Sequence, residues 1–412
     1  MTQNAFDTLK QRGFVAQVTD EPAVRNLFAD QQVTFYIGFD PTASSLHCGS
    51  LVPIMAMAQL QHAGHKPLGL IGGGTAMVGD PSGKTEMRQM LSFEAICANG
   101  EGILGQLRRY LRLEGSAGMA ANNADWLLKL HYIEFLRDIG KHFRVNEMVR
   151  ADAYRARLER EEGLSFIEFN YQLLQAYDYL MLHERHGCLL QMGGDDQWSN
   201  ILAGTDLIRR KHGKQAFCIT FPLLTTARGE KMGKTATGAV WLDAQRTSPY
   251  QFYQYWINTD DRDVRRFLAL FTFLPMDEVL RLGAAQGVAL NAAKEVLAFE
   301  ATRLCHGETA ANEARSASRA AFGGGGDASA MPSSVLPRLR LAAGIALLDL
   351  LVETALVPSK AEARRLVQQG GAYVNDVAIG DIQARIGESS MHDGALILRA
   401  GKKKIHRLVV EN

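Results

Sequence analysis

From Val33 to about Leu223 the chain alternates short apolar runs with stretches of helical period: VTFYIGF, an amphipathic segment from Leu51 to Ala63, PLGLIGGG, and later GCLLQMGG. Apolar runs of strand length separated by helical patterns describe strand-helix-strand units, and hence a parallel sheet covered by helices on both faces. In such sheets ligands sit beyond the carboxyl ends of the strands. At 412 residues the chain also exceeds one ordinary core, so two or three domains are expected. From Ser248 to about Phe322 the pattern is helical throughout, as in VRRFLALFTFL and AAKEVLAFEATRL, which predicts a small helical bundle. Gly323 to Gly326 and the following DASAMPSS read as a flexible linker. The last unit, from about Leu336 to Asn412, opens with the predicted helix LAAGIALLDLLVETAL and a second one, SKAEARRLVQQGG. In the second, Ser359 and Glu362 have capping-box spacing and Gly370 with Gly371 supplies a stop. Short alternating strands follow in AYVND and ALILRAG, so this unit reads as α+β.

Composition excludes several classes. Hydrophobic residues at 47% and charged ones at 22% are those of a globular chain rather than a disordered one. The net charge is only +1, so any nucleic-acid contact must use local basic patches. Cys48, Cys97, Cys188, Cys218 and Cys305 stand singly, without C-x-x-C pairs or a Cys/His array, which fits a reducing compartment and no structural metal. Met1 to Gln11 lacks the pattern of a signal peptide and no run reaches roughly 18 apolar residues, so a cytoplasmic protein without membrane spans is expected.

Three stretches carry chemistry. YIGFDPTASSLHCGS, Tyr36 to Ser50, runs from a strand through an Asp-Pro-Thr turn into a helix start, where anions are attracted. Gly49 leaves room for a base or sugar against the backbone, and His47 and Thr42 are placed to donate to phosphate oxygens. Alone, His47 is more often a satisfied structural histidine. IGGGTAMVGDPSGKTEMR, Ile71 to Arg88, is no Walker loop, because three residues stand between Gly79 and Gly83 where four are needed. Lys84 and Arg88, one helical turn apart, face either a polyphosphate or solvent. KMGKT, Lys231 to Thr235, lies between turn-like segments and suits a mobile charge clamp on leaving pyrophosphate, although a lysine pair on a loop is commonly just solvated.

Taken together, these stretches resemble the HIGH and KMSKS signatures of class I aminoacyl-tRNA synthetases. The longer words YxGFDPTAxSLHxG, GDPSGK, YxxLQAYD, QxGGxDQWxN and KxGKT, with TSPYQFYQYWINTDDRDV, are similar to the bacterial tyrosyl family, and VPSKAEARRLVQQGGAYVN resembles its closing S4-type RNA-binding module. The resemblance covers essentially the whole chain. It implies a Rossmann-like catalytic domain over 1–225 with a dimer-interface insertion near 120–165, and a KMSKS-type loop over 226–247. A helical domain over 248–322, a linker over 323–335 and an S4-like domain over 336–412 would follow. It also implies tyrosine activation by ATP with Mg²⁺, release of pyrophosphate, and transfer to the terminal ribose of tRNA(Tyr) by a homodimer.

Tyr171, Gln175 and Asp178 stand at i, i+4 and i+7, so one helix face presents all three. By resemblance, Asp178 and Tyr36 hold the substrate phenol, Tyr171, Gln175 and Asp80 meet its ammonium group, and Gln191 and Gln197 lie close by. Gly38, Asp40, His47, Gly49, Ser50, Gly194, Asp196 and Lys234 belong to the ATP side, with Asp196 on the ribose. Thr42, His47, Lys84, Arg88, Lys231 and Lys234 stabilise charge on the phosphoryl oxygens. Two positions depart from the signatures: Ser50 replaces the second histidine of HIGH, and KMGKT lacks the central hydroxyl of KMSKS. Lys360, Arg364 and Arg365, and Lys402, Lys403 and Lys404 with Arg407, form two basic clusters, read as RNA contacts or as solvated surface. A non-catalytic RNA-binding relative and a tryptophanyl enzyme are the competing readings; the first predicts an eroded lysine loop or pocket, the second loss of the Tyr36 and Asp178 pair.

Overall fold

The computed structural model describes residues 3–80, 91–151, 154–155, 158–159, 164–229, 231–235, 238–323, 332–375, 377–392, 394–401 and 404–411. Two compact units emerge, one formed by 1–243 with 260–285, the other by 244–259 with 286–412.

The first unit is built on a six-stranded sheet of order β1-β6-β5-β2-β3-β4. Its strands are β1 Gln17–Val18, β2 Thr34–Phe39, β3 Lys66–Ile71, β4 Met119–Asn122, β5 Leu190–Gly194 and β6 Phe217–Phe221. All neighbours pair parallel except the short edge strand β1, which runs antiparallel to β6. The parallel α/β expectation is met. The order also fixes where a ligand goes: the chain leaves β2 toward β3 on one side, and later enters β5 on the other. The strand order therefore reverses between β2 and β5, and a crevice opens beyond their carboxyl ends.

The Leu51–His62 helix corrects one expectation. It was read as amphipathic, yet Leu51, Val52, Ile54, Met55, Ala56, Met57, Ala58, Gln59 and Leu60 are all buried, so its surface is covered nearly all round. The Phe166–His186 helix is fixed at both ends by its sequence. Ser165 and Glu168 form a reciprocal capping box, and Gly187 closes the helix at φ 61°.

The helical stretch 248–322 does not form one compact body. Val264–Phe271 and Met276–Gly283 belong to the first unit, whereas Pro249–Ile257, Val288–His306 and Glu308–Gly323 belong to the second. Buried Arg12 supplies the reason, because its guanidinium donates to the carbonyls of Ala269 (2.8 Å), Thr272 (3.0 Å) and Leu274 (2.6 Å). Gln59 adds a bond to Thr272 O at 3.1 Å. Helical periodicity carries no record of such partners.

In the second unit, Ser333–Pro337 pairs parallel with Lys404–Glu411, so the last residues of the expected linker form a strand. The expected long helix after Leu341 is interrupted: Arg338–Ala342 ends, Gly344 adopts φ 70°, and Leu347–Glu353 begins a new helix. The Lys360–Gln368 helix starts where predicted, with Ser359 accepting from Glu362 N–H at 3.3 Å. Leu341, Leu347, Leu351, Val367, Leu396 and Leu408 share one core. Among the described residues no helix is long and apolar enough to cross a membrane.

Candidate active site

A continuous chain of hydrogen bonds runs through the interior at the carboxyl ends of β2 and β3. Tyr171, on the Phe166–His186 helix, donates its hydroxyl to Asp40 Oδ2 at 3.0 Å. Asp40 Oδ1 accepts from Thr75 at 2.8 Å, and Thr75 Oγ1 in turn accepts from Asn123 Nδ2 at 2.9 Å. The same Asn123 amide reaches Asp178 Oδ2 at 2.8 Å, while Trp126 Nε1 donates to Asp178 Oδ1 at 2.7 Å. Asn123 is fixed in turn by Gly74 N–H, which donates to its Oδ1 at 2.7 Å. The helix thus contributes Tyr171 and Asp178 from one face, joined through residues of three other segments.

The Gly72-Gly73-Gly74 run makes this geometry feasible. A Cβ at Gly72 would stand 2.0 Å from Asp40 Oδ1, and one at Gly73 2.4 Å from Asn122 Oδ1. Only bare backbone allows the turn after β3 to pass so close to these side chains.

Electrostatics single out Asp178. Burial pushes its carboxyl up to about 7, and the charge of Asp40 adds to the rise, while the bonds from Asn123 and Trp126 oppose it. Burial also raises the Tyr36 phenol well above its usual value, with the charge of Asp178 as the next cause. Tyr36 and Gln191 face each other in register across β2 and β5. Both are buried, and among the described residues neither Tyr36 OH nor Gln191 Oε1 has a hydrogen-bond partner. Such orphans are costly, by about 1–3 kcal/mol each, unless something else bonds them. Gln175 is half-buried on the same helix, one turn from Tyr171 and Asp178. Asp80 is joined to Gln197, whose Nε2 donates to it at 2.8 Å.

On the other side of the crevice, His47 Nδ1 accepts from Gly49 N–H at 2.9 Å and its ring lies edge-on to Trp241, 6.2 Å between centroids. The lysine loop meets this turn directly. A Cβ at Gly49 would come within 2.9 Å of Met232 O, and one at Gly233 within 2.7 Å of Gly49 N. The bond from Cys48 N–H to Val240 O, 2.8 Å, holds the two segments together. The two signature motifs, far apart in sequence, are in contact.

Gly38 is exposed at the end of β2 and Thr42 is exposed on the following loop, with Ser50 partly covered. A Cβ at Gly194 would fall 2.4 Å from Asp196 Oδ1, so Gly194 lets that carboxylate fold back over the end of β5. The neighbouring Asp195 is occupied structurally, accepting from Gln17 and Thr220 at 2.7 Å each. Lys231 is exposed. Lys84, Arg88, Lys402 and Lys403, and the side chain of Lys234, lie outside the described residues. Far from this crevice in sequence, Lys360 pairs with Asp349 at 2.6 Å, Arg364 and Arg365 are exposed, and Lys404 donates to Leu356 O at 3.1 Å.

Asn123, Trp126 and Thr75 were not anticipated. Asn123 and Trp126 lie within the stretch read only as an insertion, and nothing in their local pattern marks them, because their partner Asp178 is 55 and 52 residues away.

Residues 29–323 match the family model of class I tRNA synthetases (W and Y), and residues 328–408 match the C-terminal domain model of SYY-like tyrosine–tRNA ligases. The chain is 53% identical to a tyrosine–tRNA ligase of Clostridium tetani, with all of both chains covered. It is 55% identical to one of Desulfosudis oleivorans, over 99% of each. Among solved structures, a C-terminally truncated mitochondrial tyrosyl-tRNA synthetase of Aspergillus nidulans superposes with a TM-score of 0.70 at 31% identity, over 78% of this chain and 95% of that one. The chain belongs to the tyrosyl-tRNA synthetases of class I.

Proposed function

We propose that the chain activates L-tyrosine with ATP and transfers it to the 3′-terminal ribose of tRNA(Tyr). The observation that carries this reading is the buried Tyr36 hydroxyl, without a partner among the described residues, in a cluster that includes Trp126 and Tyr179 and close enough to Asp178 for its charge to raise the phenol. A substrate phenol placed there bonds both groups, with Gln191 Oε1 nearby. Phenylalanine leaves the Tyr36 hydroxyl and Gln191 Oε1 unpaired and offers Asp178 no donor beyond Asn123 and Trp126, and is rejected for that reason. Tyr171, Gln175 and Asp80, with Gln197 holding Asp80, form the polar end that meets the ammonium group.

The ATP side is assigned to Gly38, Asp40, His47, Gly49, Ser50, Gly194 and Asp196. Gly38 and Gly49 offer backbone for a flat base or sugar, and Asp196 accepts from ribose hydroxyls. Magnesium enters with the nucleotide. The tyrosine carboxylate, ionised at neutral pH, attacks the α-phosphorus in line; the bond to the bridging oxygen breaks and pyrophosphate leaves. No general base is needed. Catalysis is positioning together with charge stabilisation on phosphoryl oxygens by Thr42, His47, Lys84, Arg88, Lys231 and Lys234. The ribose hydroxyl of the RNA then attacks the activated carbonyl and displaces AMP.

The basic groups Lys360, Arg364, Arg365, Lys402, Lys403 and Lys404 are assigned to RNA phosphates. A homodimer is proposed through the segment near 120–165, where Leu128, Tyr132, Ile133, Val145 and Leu158 are exposed, with Phe166 just beyond. The decisive test is exchange of labelled pyrophosphate into ATP with tyrosine, phenylalanine or tryptophan supplied singly. Exchange with tyrosine alone is expected; exchange with tryptophan and not tyrosine overturns the assignment.

A further inference from the structure

We propose that Asp263 and Arg266 are positioning residues that hold the base of the lysine loop in register, and so aim Lys231 and Lys234 during adenylate formation. The proposal rests on the reading above that this loop acts on the phosphates of ATP.

The loop grows from a small hairpin. Met232 N–H donates to Leu224 O at 3.0 Å, and Thr225 bridges Lys231. The turn is closed by Gly229 N–H on Thr226 O at 2.8 Å, with Gly229 at φ 81°. A hairpin this short has little stability of its own in water. Its support comes from the Asp261–Asp263 turn and the helix Val264–Phe271 that follows it.

Asp263 is almost wholly buried, and both carboxylate oxygens are used. Oδ2 accepts from Ala227 N–H at 2.7 Å and Oδ1 accepts from Arg266 Nη2 at 2.6 Å. The same Arg266 Nη2 donates to Thr225 O at 2.5 Å. One backbone donor and one backbone acceptor of the hairpin are therefore held by an acid and a base that also hold each other. Charge-assisted bonds of this kind are stronger and more directional than neutral ones. A second, more exposed contact joins Arg228 to Asp260 at 3.5 Å, with Asp260 braced by Arg262 at 2.9 Å.

The far end of the hairpin leads straight to the reacting groups. Met232 is buried, and Gly233 lies against Gly49 N and His47 Nδ1. The segment from Leu224 to Gly233 is thus pinned at Thr225 and Ala227 on one side, and packed against the His47 turn on the other. Lys231 lies between these supports, and Lys234 immediately after them. Loss of the pin frees Lys231 and the backbone that follows it to move, whereas the tyrosine end, built from Tyr36, Asp178, Asn123 and Trp126, has no bond to the pin among the described residues.

The test uses the full-length protein with Asp263→Ala, Asp263→Asn and Arg266→Ala, measuring the single-turnover rate of adenylate formation, the Kd of tyrosine and the Tm. Asp263→Ala is expected to lower the rate by about tenfold to a hundredfold, the effect of losing a buried charged partner, with the Kd of tyrosine within about twofold. Asp263→Asn keeps an acceptor for Ala227 N–H and is expected to recover much of the rate. Arg266, half-exposed, serves as the second variant should Asp263→Ala not fold. Unchanged rates in folded variants overturn the proposal, as does a parallel loss of rate and tyrosine affinity, which marks general destabilisation. Amide exchange at Ala227 and Met232 supplies a readout independent of activity. Selective acceleration there in Asp263→Ala supports the pin even if the wild-type protein makes no adenylate, in which case the proposed activity alone falls.

Discussion

Asp178 is held by two opposed influences at once: burial disfavours its charge, while Trp126 and Asn123 donate hydrogen bonds that favour it. Its folded carboxyl rises to about 7 from the ordinary value of 3.8. Between those values the folded chain binds more protons at this site than the unfolded chain, so this group makes stability fall as pH rises through that window. The Tm of the ligand-free protein should therefore drop more between pH ~5 and pH ~7.5 than that of Asp178→Asn, measured by thermal unfolding; equal slopes would place the titration elsewhere. Trp126→Phe tests the other influence. It strips Oδ1 of its donor, and the Kd of tyrosine should rise by about tenfold or more, the weight of one bond to a buried charge. Unaltered affinity by calorimetry would show that Trp126 does not orient the carboxylate. The spacing of Tyr171 and Asp178 on one helical face was legible in the sequence. The partners of Asp178, Asn123 and Trp126, were not, since side-chain bonds across more than fifty residues leave no local periodicity; Thr75, 35 residues from Asp40 and 48 from Asn123, was missed for the same reason.

Element by element, the sequence was informative wherever a structure is set by its own residues. The strands β2, β3 and β5 and the helix start at Ser359 follow from local pattern and local bonds. It misled where neighbours decide. The Leu51–His62 helix is buried on nearly every side, and the helices after Asp260 were drawn to the first unit by Arg12. Gly344 looked compatible with a continuous helix, but its φ of 70° breaks it. The lysine loop offers a test at this scale. Gly233 has φ 77°, and a Cβ there would meet the backbone N of Gly49 at 2.7 Å, an atom that cannot swing aside as a flexible side chain would. Gly233→Ala should slow adenylate formation by at least about tenfold, from a left-handed strain of roughly 1–2 kcal/mol and the displaced turn. Tyrosine affinity measured in parallel should stay unchanged; a wild-type rate would mean that the contact with the His47 turn is dispensable.

For the whole molecule, the exposed apolar residues between Leu128 and Phe166 are too many to be left in water without purpose. Ile133, 72% exposed, is the natural probe. Ile133→Asp should shift a dimer toward monomer in sedimentation velocity, and a wild-type species that sediments as an active monomer would contradict the proposed assembly. Removal of residues 327–412 should impair charging of tRNA far more than pyrophosphate exchange, since the phenol and phosphate groups all precede that point; equal losses in the two assays would deny the last unit its RNA role. The alternation of apolar runs and helical stretches was enough to specify a parallel α/β unit, and the longer motifs its family, because both are written in consecutive residues. Only the tertiary structure determined that β5 enters beside β2 and opens a crevice there, that Asp178 is joined to Asp40 through Asn123 and Thr75, and that the KMGKT loop rests on His47. Those are contacts between segments brought together by burial, and burial is a property of the packed chain that no stretch of sequence holds by itself.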